Sequence, residues 1–251
     1  MAEPVLALDR LNKSFGALHV TRDVCLDIRP GEVHALIGPN GAGKTTLVSQ
    51  IAGSLKPDSG RIRFAGEDVT RLGVAPRARR GLARVFQISN VVGAFTALEN
   101  VAVAVLAASG GAFGMGRPAL ADPALRAKAQ DVLDSVGLAG RMAVRAVEFS
   151  HGERRALELA MSLVQDPELL LLDEPMAGTG RAEGEKLTRL LLSLKGRIPM
   201  LLIEHDMTAV FTLADRVSVL IGGAVAATGE PAVIRSDPVV RKAYIGEDEA
   251  V

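Results

Sequence analysis

Gly38-Pro39-Asn40-Gly41-Ala42-Gly43-Lys44-Thr45 is the stretch that decides the fold of this chain. It matches the pattern G-x-x-x-x-G-K-[ST] at every fixed position. The apolar segment Val33–Ile37 before it predicts a strand, and the residues from Lys44 to about Leu55 predict a helix. A glycine-rich turn between a strand and a helix is the context in which this pattern binds phosphate, so we interpret the stretch as a phosphate-binding loop.

Each fixed residue of the loop has a physical task. Glycines let the backbone turn so that successive N–H groups point at phosphate oxygens, and the following helix adds the positive end of its dipole. The Lys44 ammonium is expected to contact the β- and γ-phosphates, and the Thr45 hydroxyl is expected to bind Mg²⁺. The loop therefore predicts a nucleotide-binding protein.

A second chemical feature is the run Leu169–Leu172, which is followed directly by Asp173 and Glu174. Apolar residues on both faces are typical of a central parallel strand, and such sheets bind ligands at the carboxyl ends of their strands. We therefore expect Asp173 to hold Mg²⁺ through water. Glu174 is expected to orient and deprotonate an attacking water.

Strand-like and helix-like segments alternate along most of the chain, which predicts an α/β fold. Between about Ile88 and Gln165 the pattern favours helices, with an exposed glycine-rich loop at Ser109–Asp122. We predict a core at about 1–87 and 166–251, interrupted by a helical subdomain at about 88–165. The predicted strands are Val5–Leu8, Val24–Ile28, Val33–Ile37, Arg61–Phe64, Val85–Gln87, Leu169–Leu172, Met200–Ile203 and Val217–Ile221. The predicted helices are Lys44–Leu55, Pro76–Leu82, Thr96–Ala108, Pro123–Val136, Gly152–Gln165, Arg181–Lys195, Met207–Ala214 and two short helices within Pro231–Ile245.

The composition excludes several classes of function. With 29 Lys+Arg against 29 Asp+Glu and only 3% aromatic residues, the chain lacks the basic excess and the stacking side chains of a dedicated nucleic-acid binder. The longest apolar run, Val101–Ala108, falls far short of the roughly 20 residues of a spanning helix. A single cysteine, Cys25, cannot form an internal disulfide, and the start of the chain has no signal-peptide pattern. These features predict a soluble cytosolic protein.

Two other nucleotide-binding classes fit the residues poorly. A GTPase needs N-K-x-D to read guanine, and Asn12-Lys13-Ser14-Phe15 fails at the fourth residue and precedes the phosphate loop. A small kinase would need an acceptor-binding lid, which the sequence does not identify.

Further motifs follow the phosphate loop in a fixed order: Gln87, Ser150-His151-Gly152-Glu153, Asp173-Glu174-Pro175 and Glu204-His205-Asp206. In this order they resemble the ATPase subunits of ABC transporters over nearly the whole chain. The resemblance implies a RecA-like P-loop NTPase core, with a mostly parallel sheet and an antiparallel β subdomain, interrupted by a helical subdomain. It also implies that ATP and Mg²⁺ are bound between two subunits.

The resemblance assigns roles to individual residues. It implies that Phe15 stacks on adenine, that Ser150 and Gly152 close on the γ-phosphate of the opposite subunit, and that Gln87 reaches the Mg²⁺ and the attacking water and links the core to the permease. His205 is expected to contact the γ-phosphate. The expected catalytic residues are Glu174, His205 and Gln87, and the expected metal ligands are Thr45, Gln87 and Asp173. The expected nucleotide contacts are Phe15, Gly38, Pro39, Asn40, Gly41, Ala42, Gly43, Lys44, Thr45, Thr46, Ser150, His151, Gly152 and Glu153.

The chain departs from the family pattern in two places. The common signature L-S-G-G-Q reads Phe149-Ser150-His151-Gly152-Glu153, so the phosphate-facing serine and glycine are kept while Glu153 adds negative charge. The loop after the acidic pair usually ends in Asp or Asn, but here it ends in Gly180. We expect a working site whose cross-dimer contact is weakened, as in an asymmetric pair with a non-identical partner.

Local features resemble the larger ATPase of branched-chain (hydrophobic) amino-acid importers: Glu204–Met207, the Ser109–Asp122 insertion and the ending Asp237–Gly246. This resemblance implies a second ATPase subunit, in a homodimer or a heterodimer, together with permease subunits and, indirectly, a periplasmic or extracellular solute-binding protein as partners. It implies a location on the cytoplasmic face of the inner membrane. Our candidate permease-docking segment is Ile88–Asn100, with Val91, Val92 and Phe95. A non-transport ABC ATPase and an exporter ATPase remain alternatives at this stage.

Overall fold

The computed structural model describes residues 3–85, 91–108, 119–238, 240 and 241. The strands are β1 (Leu6–Phe15), β2 (Leu18–Ile28), β3 (Val33–Ile37), β4 (Ser59–Phe64), β5 (Glu67–Asp68), β6 (Leu82–Val85), β7 (Leu169–Asp173), β8 (Met200–Ile203), β9 (Arg216–Ile221) and β10 (Ala224–Gly229). The helices are α1 (Lys44–Ala52), α2 (Val74–Ala78), α3 (Ala97–Ala108), α4 (Pro123–Ser135), α5 (His151–Leu163), α6 (Arg181–Leu194), α7 (Met207–Leu213) and α8 (Pro231–Ser236). None of these helices combines the length and apolar character that a membrane span requires within the described part of the chain.

The chain forms two compact units. The first contains Met1–Leu82, Glu168–Glu174 and Leu194–Val251, and the second contains Ala83–Pro167 and Pro175–Ser193. The second unit thus includes α6 and the loop before it, which the sequence analysis assigned to the core.

Two sheets organise the strands. The antiparallel sheet has the order β2-β1-β4-β5, and the larger sheet has the order β10-β9-β3-β8-β7-β6. In the larger sheet β3, β7, β8 and β9 run parallel, whereas β10 returns antiparallel to β9. Every residue of β3, β7 and β8 is buried, as expected for central parallel strands.

The register of these strands brings their carboxyl ends together. Ile203 at the end of β8 pairs with Leu36 of β3 on one side and with Asp173 of β7 on the other. The phosphate loop, the acidic pair and Glu204-His205 therefore begin along one edge of the same sheet. This edge is where parallel α/β sheets bind ligands.

The second unit has a helical core of its own. Buried side chains of α3, α4 and α5 pack together, and Leu190 of α6 packs against them. The cluster includes Val101, Ala129, Leu133 and Leu157, each with no exposed surface. No strand longer than a single bridge occurs between residues 91 and 165 in the described part of this stretch.

Several predicted bounds differ from the structure. β3 and β8 have the predicted ends, but the strand predicted at Val85–Gln87 is three residues early, at Leu82–Val85. The helix predicted at Pro76–Leu82 ends at Ala78, and Gly81 with a φ of 91° turns the chain so that Leu82 begins the strand. Most of the Ser109–Asp122 loop, and the tail beyond residue 241, lie outside the described residues.

Two strands were missed, the two-residue β5 and the longer β10, and β10 is the more informative of the two. The residues of β10 are mostly small, which gives little β propensity. It forms because Gly222 and Gly223, with φ values of 54° and 84°, turn the chain back so that it pairs with β9. Two glycines with positive φ between strands are a hairpin signal that the sequence analysis did not use.

Glu32 lies in a buried charged network at the base of β3. Its carboxylate accepts hydrogen bonds from the Arg29 N–H at 2.7 Å and from Arg216 Nε at 2.7 Å, and His34 Nδ1 lies 3.4 Å away. Burial alone would raise the pKa of Glu32, but the adjacent His34 and the bonds from Arg29 and Arg216 lower it to about 2. The network joins β3 to β9.

We expect Glu32→Gln to cost about 2–3 kcal/mol of unfolding free energy at pH 7. Because the folded-state pKa lies below the ordinary value, this stabilisation is full above pH 4.5 and is lost as the pH falls through about 2. The difference from wild type, measured by urea unfolding, should therefore shrink by more than half between pH 7 and pH 3. The control is Glu67→Gln, which removes an exposed pair with Arg80. A difference that is the same at both pH values would contradict the prediction.

Candidate active site

The phosphate loop turns sharply between β3 and α1. Gly41 and Gly43 have φ values of 79° and 101°, a region that favours glycine. A Cβ atom at Gly38 would lie 2.2 Å from the Leu220 carbonyl oxygen, and one at Gly43 would lie 2.6 Å from the Val20 carbonyl oxygen. Side chains at these two positions are therefore excluded by neighbouring backbone.

Lys44 begins α1 and is partly buried. Its Nζ donates to the carbonyl oxygens of Gly38 at 2.5 Å and Pro39 at 3.0 Å. Burial lowers the pKa of Lys44, and the charges of Glu174 and Asp173 oppose this shift. The ammonium is thus held over the loop and within electrostatic reach of both acids.

The start of α1 fits a phosphate group. The N-cap, Gly43, has no side chain to accept the first helical N–H groups, and the first turn contains no acidic residue. By contrast, the Asp206 carboxylate caps α7. With Lys44, Thr45 and Thr46 in the first turn, α1 offers a cation, two hydroxyls and free N–H donors to an anion.

The acidic pair lies at the end of β7. Asp173 is buried, and Glu174 is 28% exposed. Glu174 has a φ of 49°, which is costly for a residue with a side chain, and its N–H donates to the Ile203 carbonyl at 2.9 Å. Strain of this kind is concentrated at functional sites, because surrounding structure must hold it in place.

His205 follows β8 and faces Glu174. Its Nδ1 lies 3.9 Å from Glu174 Oε1, and the side chain is 65% exposed. The preceding Glu204 is buried, and its carboxylate accepts the His205 N–H at 3.1 Å. Glu204 therefore fixes the backbone that carries His205.

Glu204 is a site residue to which the motif pattern assigns no role. An acid directly after a fully buried strand was a usable signal, since the same pattern singled out Asp173 and Glu174.

Phe15 ends β1 beside a turn at Gly16. Phe15 is 51% exposed, and Lys13 Nζ lies 5.6 Å from the centre of its ring. An exposed aromatic face is what stacking on a base requires.

The signature residues belong to the second unit. Ser150 is the N-cap of α5, and it forms a capping box with Glu153: Ser150 Oγ accepts the Glu153 N–H at 3.2 Å and Glu153 Oε2 accepts the Ser150 N–H at 2.9 Å. Arg141 Nε lies 3.0 Å from Glu153 Oε1. The additional negative charge of Glu153 is therefore paired and supports the start of the helix.

The other two departures from the family pattern, His151 and Gly180, lie in the same part of the second unit. His151 packs on the loop after the acidic pair: a Cβ atom at Gly178 would lie 2.9 Å from His151 Nε2. Gly180 accepts the Gly184 N–H at 2.9 Å and presents no side chain.

Gln87 lies outside the described residues, so its expected role stays a prediction. In the described ranges no three His, Cys, Asp or Glu side chains gather as a metal-binding group.

Comparison with known proteins agrees with this geometry. Residues 21–177 match the ABC transporter family. The chain belongs to this family of ATP-binding cassettes. Residues 224–250 also match the family described as branched-chain amino acid ATP-binding cassette transporter. The resemblance stated from the motifs is confirmed.

The relatives cover nearly the full length of the cassette. The high-affinity branched-chain amino acid transport ATP-binding protein LivG of Salmonella typhimurium is 36% identical over 98% of this chain and 100% of its own. BraF of Pseudomonas aeruginosa, described in the same words, is 35% identical with the same coverage. Among solved structures, the ADP conformation of an ATP-binding cassette of an ABC transporter has a TM-score of 0.86 and 29% identity, covering 98% of this chain and 100% of that one. The predicted P-loop NTPase fold is confirmed.

Proposed function

We propose that this cassette is the ATP-hydrolysing subunit of an ABC importer for branched-chain amino acids or related small solutes. The main support for ATP hydrolysis is the arrangement of the parallel strands. These strands end together, so that one edge of the sheet holds Lys44, Asp173, Glu174 and His205. The names of LivG and BraF, and the C-terminal match at 224–250, support the substrate class.

The phosphate loop binds the nucleotide. Its N–H groups and the Lys44 ammonium hold the β- and γ-phosphates, and Phe15 stacks on the base. The Thr45 hydroxyl and the Asp173 carboxylate, with Gln87, would hold Mg²⁺, which neutralises charge on the phosphates when bound. The uncapped start of α1 supports this assignment.

Glu174 is the general base. Its strained backbone and its partly exposed carboxylate suit a residue that must orient and deprotonate a water. His205 contacts the γ-phosphate from the neighbouring strand, on backbone that the buried Glu204 holds. Charge that develops on the γ-phosphate is then stabilised by fixed donors.

A second subunit completes the site. Ser150 and Gly152 of one subunit close on the γ-phosphate bound to the other, so closure assembles the stabilising groups and hydrolysis removes the phosphate that holds the halves together. The missing side chain at Gly180 favours pairing with a non-identical second ATPase subunit. Permease subunits then hold the pair at the cytoplasmic face of the inner membrane, where the permease receives solute from a periplasmic or extracellular binding protein.

Co-purification from native membranes tests this function. A tagged chain is expressed in its own host, solubilised and captured, and the co-purified proteins are identified. We expect permease subunits, a second ATPase and ATP hydrolysis by the complex, together with uptake of labelled leucine, isoleucine or valine by intact cells. Capture of ribosomes or DNA would support a non-transport ATPase, and capture of an export permease would support an exporter.

The candidate docking segment presents apolar side chains. Val92, Phe95 and Val147 are 45%, 41% and 60% exposed, and we call them the apolar patch. Gly93 accepts the Val147 N–H at 3.0 Å, which joins the two chain segments of the patch. The buried Asn100 amide binds both backbone groups of Val92 and so fixes the segment. Val91 packs on the helical core instead, and residues 88–90 lie outside the described residues.

Phe95→Asp is expected to lower permease co-purification about tenfold while leaving ATP binding unchanged, because a carboxylate would be buried at an apolar contact. The yield of permease per captured chain is measured by quantitative blotting. Val74→Asp is the matched control, since Val74 is 48% exposed in the first unit. Equal permease yields for wild type and Phe95→Asp would contradict the placement of the docking surface.

A further inference from the structure

The phosphate-binding groups of the signature already contact an anion of their own chain. The Gly152 N–H donates to Glu183 Oε2 at 3.1 Å. A Cβ atom at Gly152 would lie 2.8 Å from Glu183 Cβ and 2.9 Å from its carboxyl carbon. The Glu183 side chain therefore lies directly against the first turn of α5, where only glycine fits.

The Ser150 side chain contacts the same carboxylate. A hydrogen bond from Ser150 lowers the pKa of Glu183, burial opposes the shift, and the N–H groups of Gly152 and Gly180 and the nearby His151 lower it further. Glu183 is therefore ionised at neutral pH. Both signature groups expected to bind the γ-phosphate of the opposite subunit bind this carboxylate instead.

The position of Glu183 explains how it reaches two helices. It is the third residue of α6, so it can accept the N–H of Gly180 in the manner of a capping glutamate. At the same time it places a negative charge at the N-terminus of α5, as a phosphate would. A carboxylate and a phosphate compete for the same donors at this point.

We infer that Glu183 is an internal competitor of the γ-phosphate, which occupies the signature donors Ser150 and Gly152 until ATP on the opposite subunit displaces it. The inference rests on the proposed function, because the competing phosphate belongs to a second subunit. Dimer closure must then break the contacts of Glu183 and overcome its charge. A higher ATP concentration is needed for closure than the signature alone would require.

The second unit provides space for the displaced side chain. Ser150, Gly152 and Glu183 line a cavity of about 370 Å³, and Lys186, one helical turn after Glu183, lines it as well. Rotation about the side-chain bonds of Glu183 moves the carboxylate into this space and towards a cation. The backbone of α6 need not move.

A purely structural role in starting α6 is separable from this competition. Glutamine keeps the size of the side chain and an oxygen that accepts from Gly152 and Gly180, and it serves at this helix position as well as glutamate does. It removes only the negative charge. Glu185→Gln is the matched control, because Glu185 lies two residues later in α6 and forms only an exposed pair with Arg181, at 3.3 Å.

The test uses the complex co-purified with its permease. Hydrolysis is measured against ATP concentration for wild type, Glu183→Gln, Glu183→Ala and Glu185→Gln, with thermal unfolding as a check on folding. We expect Glu183→Gln to lower the KM for ATP about fivefold without lowering kcat, which is the effect of removing one partly exposed charge. Glu183→Ala should lower KM in the same direction, and Glu185→Gln should leave it unchanged.

The outcomes separate the inference from the proposed function. Wild-type KM in both Glu183 variants, or a loss of kcat without a lower KM, overturns the role of Glu183 as competitor while the ATPase function stands. A wild-type complex that does not hydrolyse ATP overturns the proposed function and the inference together.

Discussion

Replacing Glu174 with glutamine is expected to slow ATP hydrolysis by about 10²–10⁴-fold while leaving ATP binding intact. Glutamine keeps the shape of the side chain but cannot accept a proton from water. The backbone that carries the side chain is held by the bond from Glu174 N–H to Ile203, which the substitution does not touch. Turnover is measured as phosphate release by the purified complex, and binding is measured by equilibrium titration with ATP.

Glu230→Gln serves as the control for this substitution, because Glu230 is an exposed glutamate of the same unit that makes no capping bond. Its turnover should equal that of the wild type. Normal hydrolysis by Glu174→Gln would remove Glu174 from the role of general base. Loss of ATP binding in this variant would point to a role in holding the nucleotide instead.

Lys44→Met is expected to weaken ATP binding about 100-fold. The substitution removes charge-assisted hydrogen bonds to the phosphates, each worth roughly 1.5–3 kcal/mol, but keeps an apolar stem of similar length. It also leaves Asp173 and Glu174 without the cation that offsets their charge, so binding of an anion is disfavoured further. Equilibrium titration with ATP measures the change in Kd.

Lys128→Met is the control, because Lys128 forms an exposed pair with Asp166 at 2.9 Å and has no place in the phosphate loop. Its Kd for ATP should match that of the wild type. If Lys44→Met bound ATP as tightly as this control, the loop at 38–45 would not be the main phosphate site.

Lys44 and Glu174 show what a local sequence pattern can predict and what it cannot. Both residues are predicted by sequence alone, since a phosphate loop and an acid after an apolar strand are contiguous patterns whose chemistry depends on spacing. These two residues are 130 positions apart in the chain, and no local pattern shows that they lie near each other in space. It is the pairing of β3 and β7 with β8 that brings both to one sheet edge.

The differences between the predicted and observed strands also arise from contacts that are not local in the sequence. The strand at Leu82–Val85 was displaced because Gly81 sets the turn, and β10 was missed because its pairing with β9, rather than its composition, makes it a strand. Hydrophobic period and propensity describe what a segment favours. Where a segment could form a strand or a loop with similar propensity, its hydrogen-bonding partners in the sheet decide which one it forms.

The sequence by itself determined the chemistry of this protein: a phosphate loop, an acidic strand end, a signature and a histidine after a strand, in an order that identifies an ABC cassette. Only the tertiary structure decided which groups meet. Glu183 lies 31 residues after Gly152, and Arg141 lies 12 residues before Glu153, yet each contacts the signature. Such contacts join separate segments of one unit, and their formation depends on how the segments pack rather than on any local period.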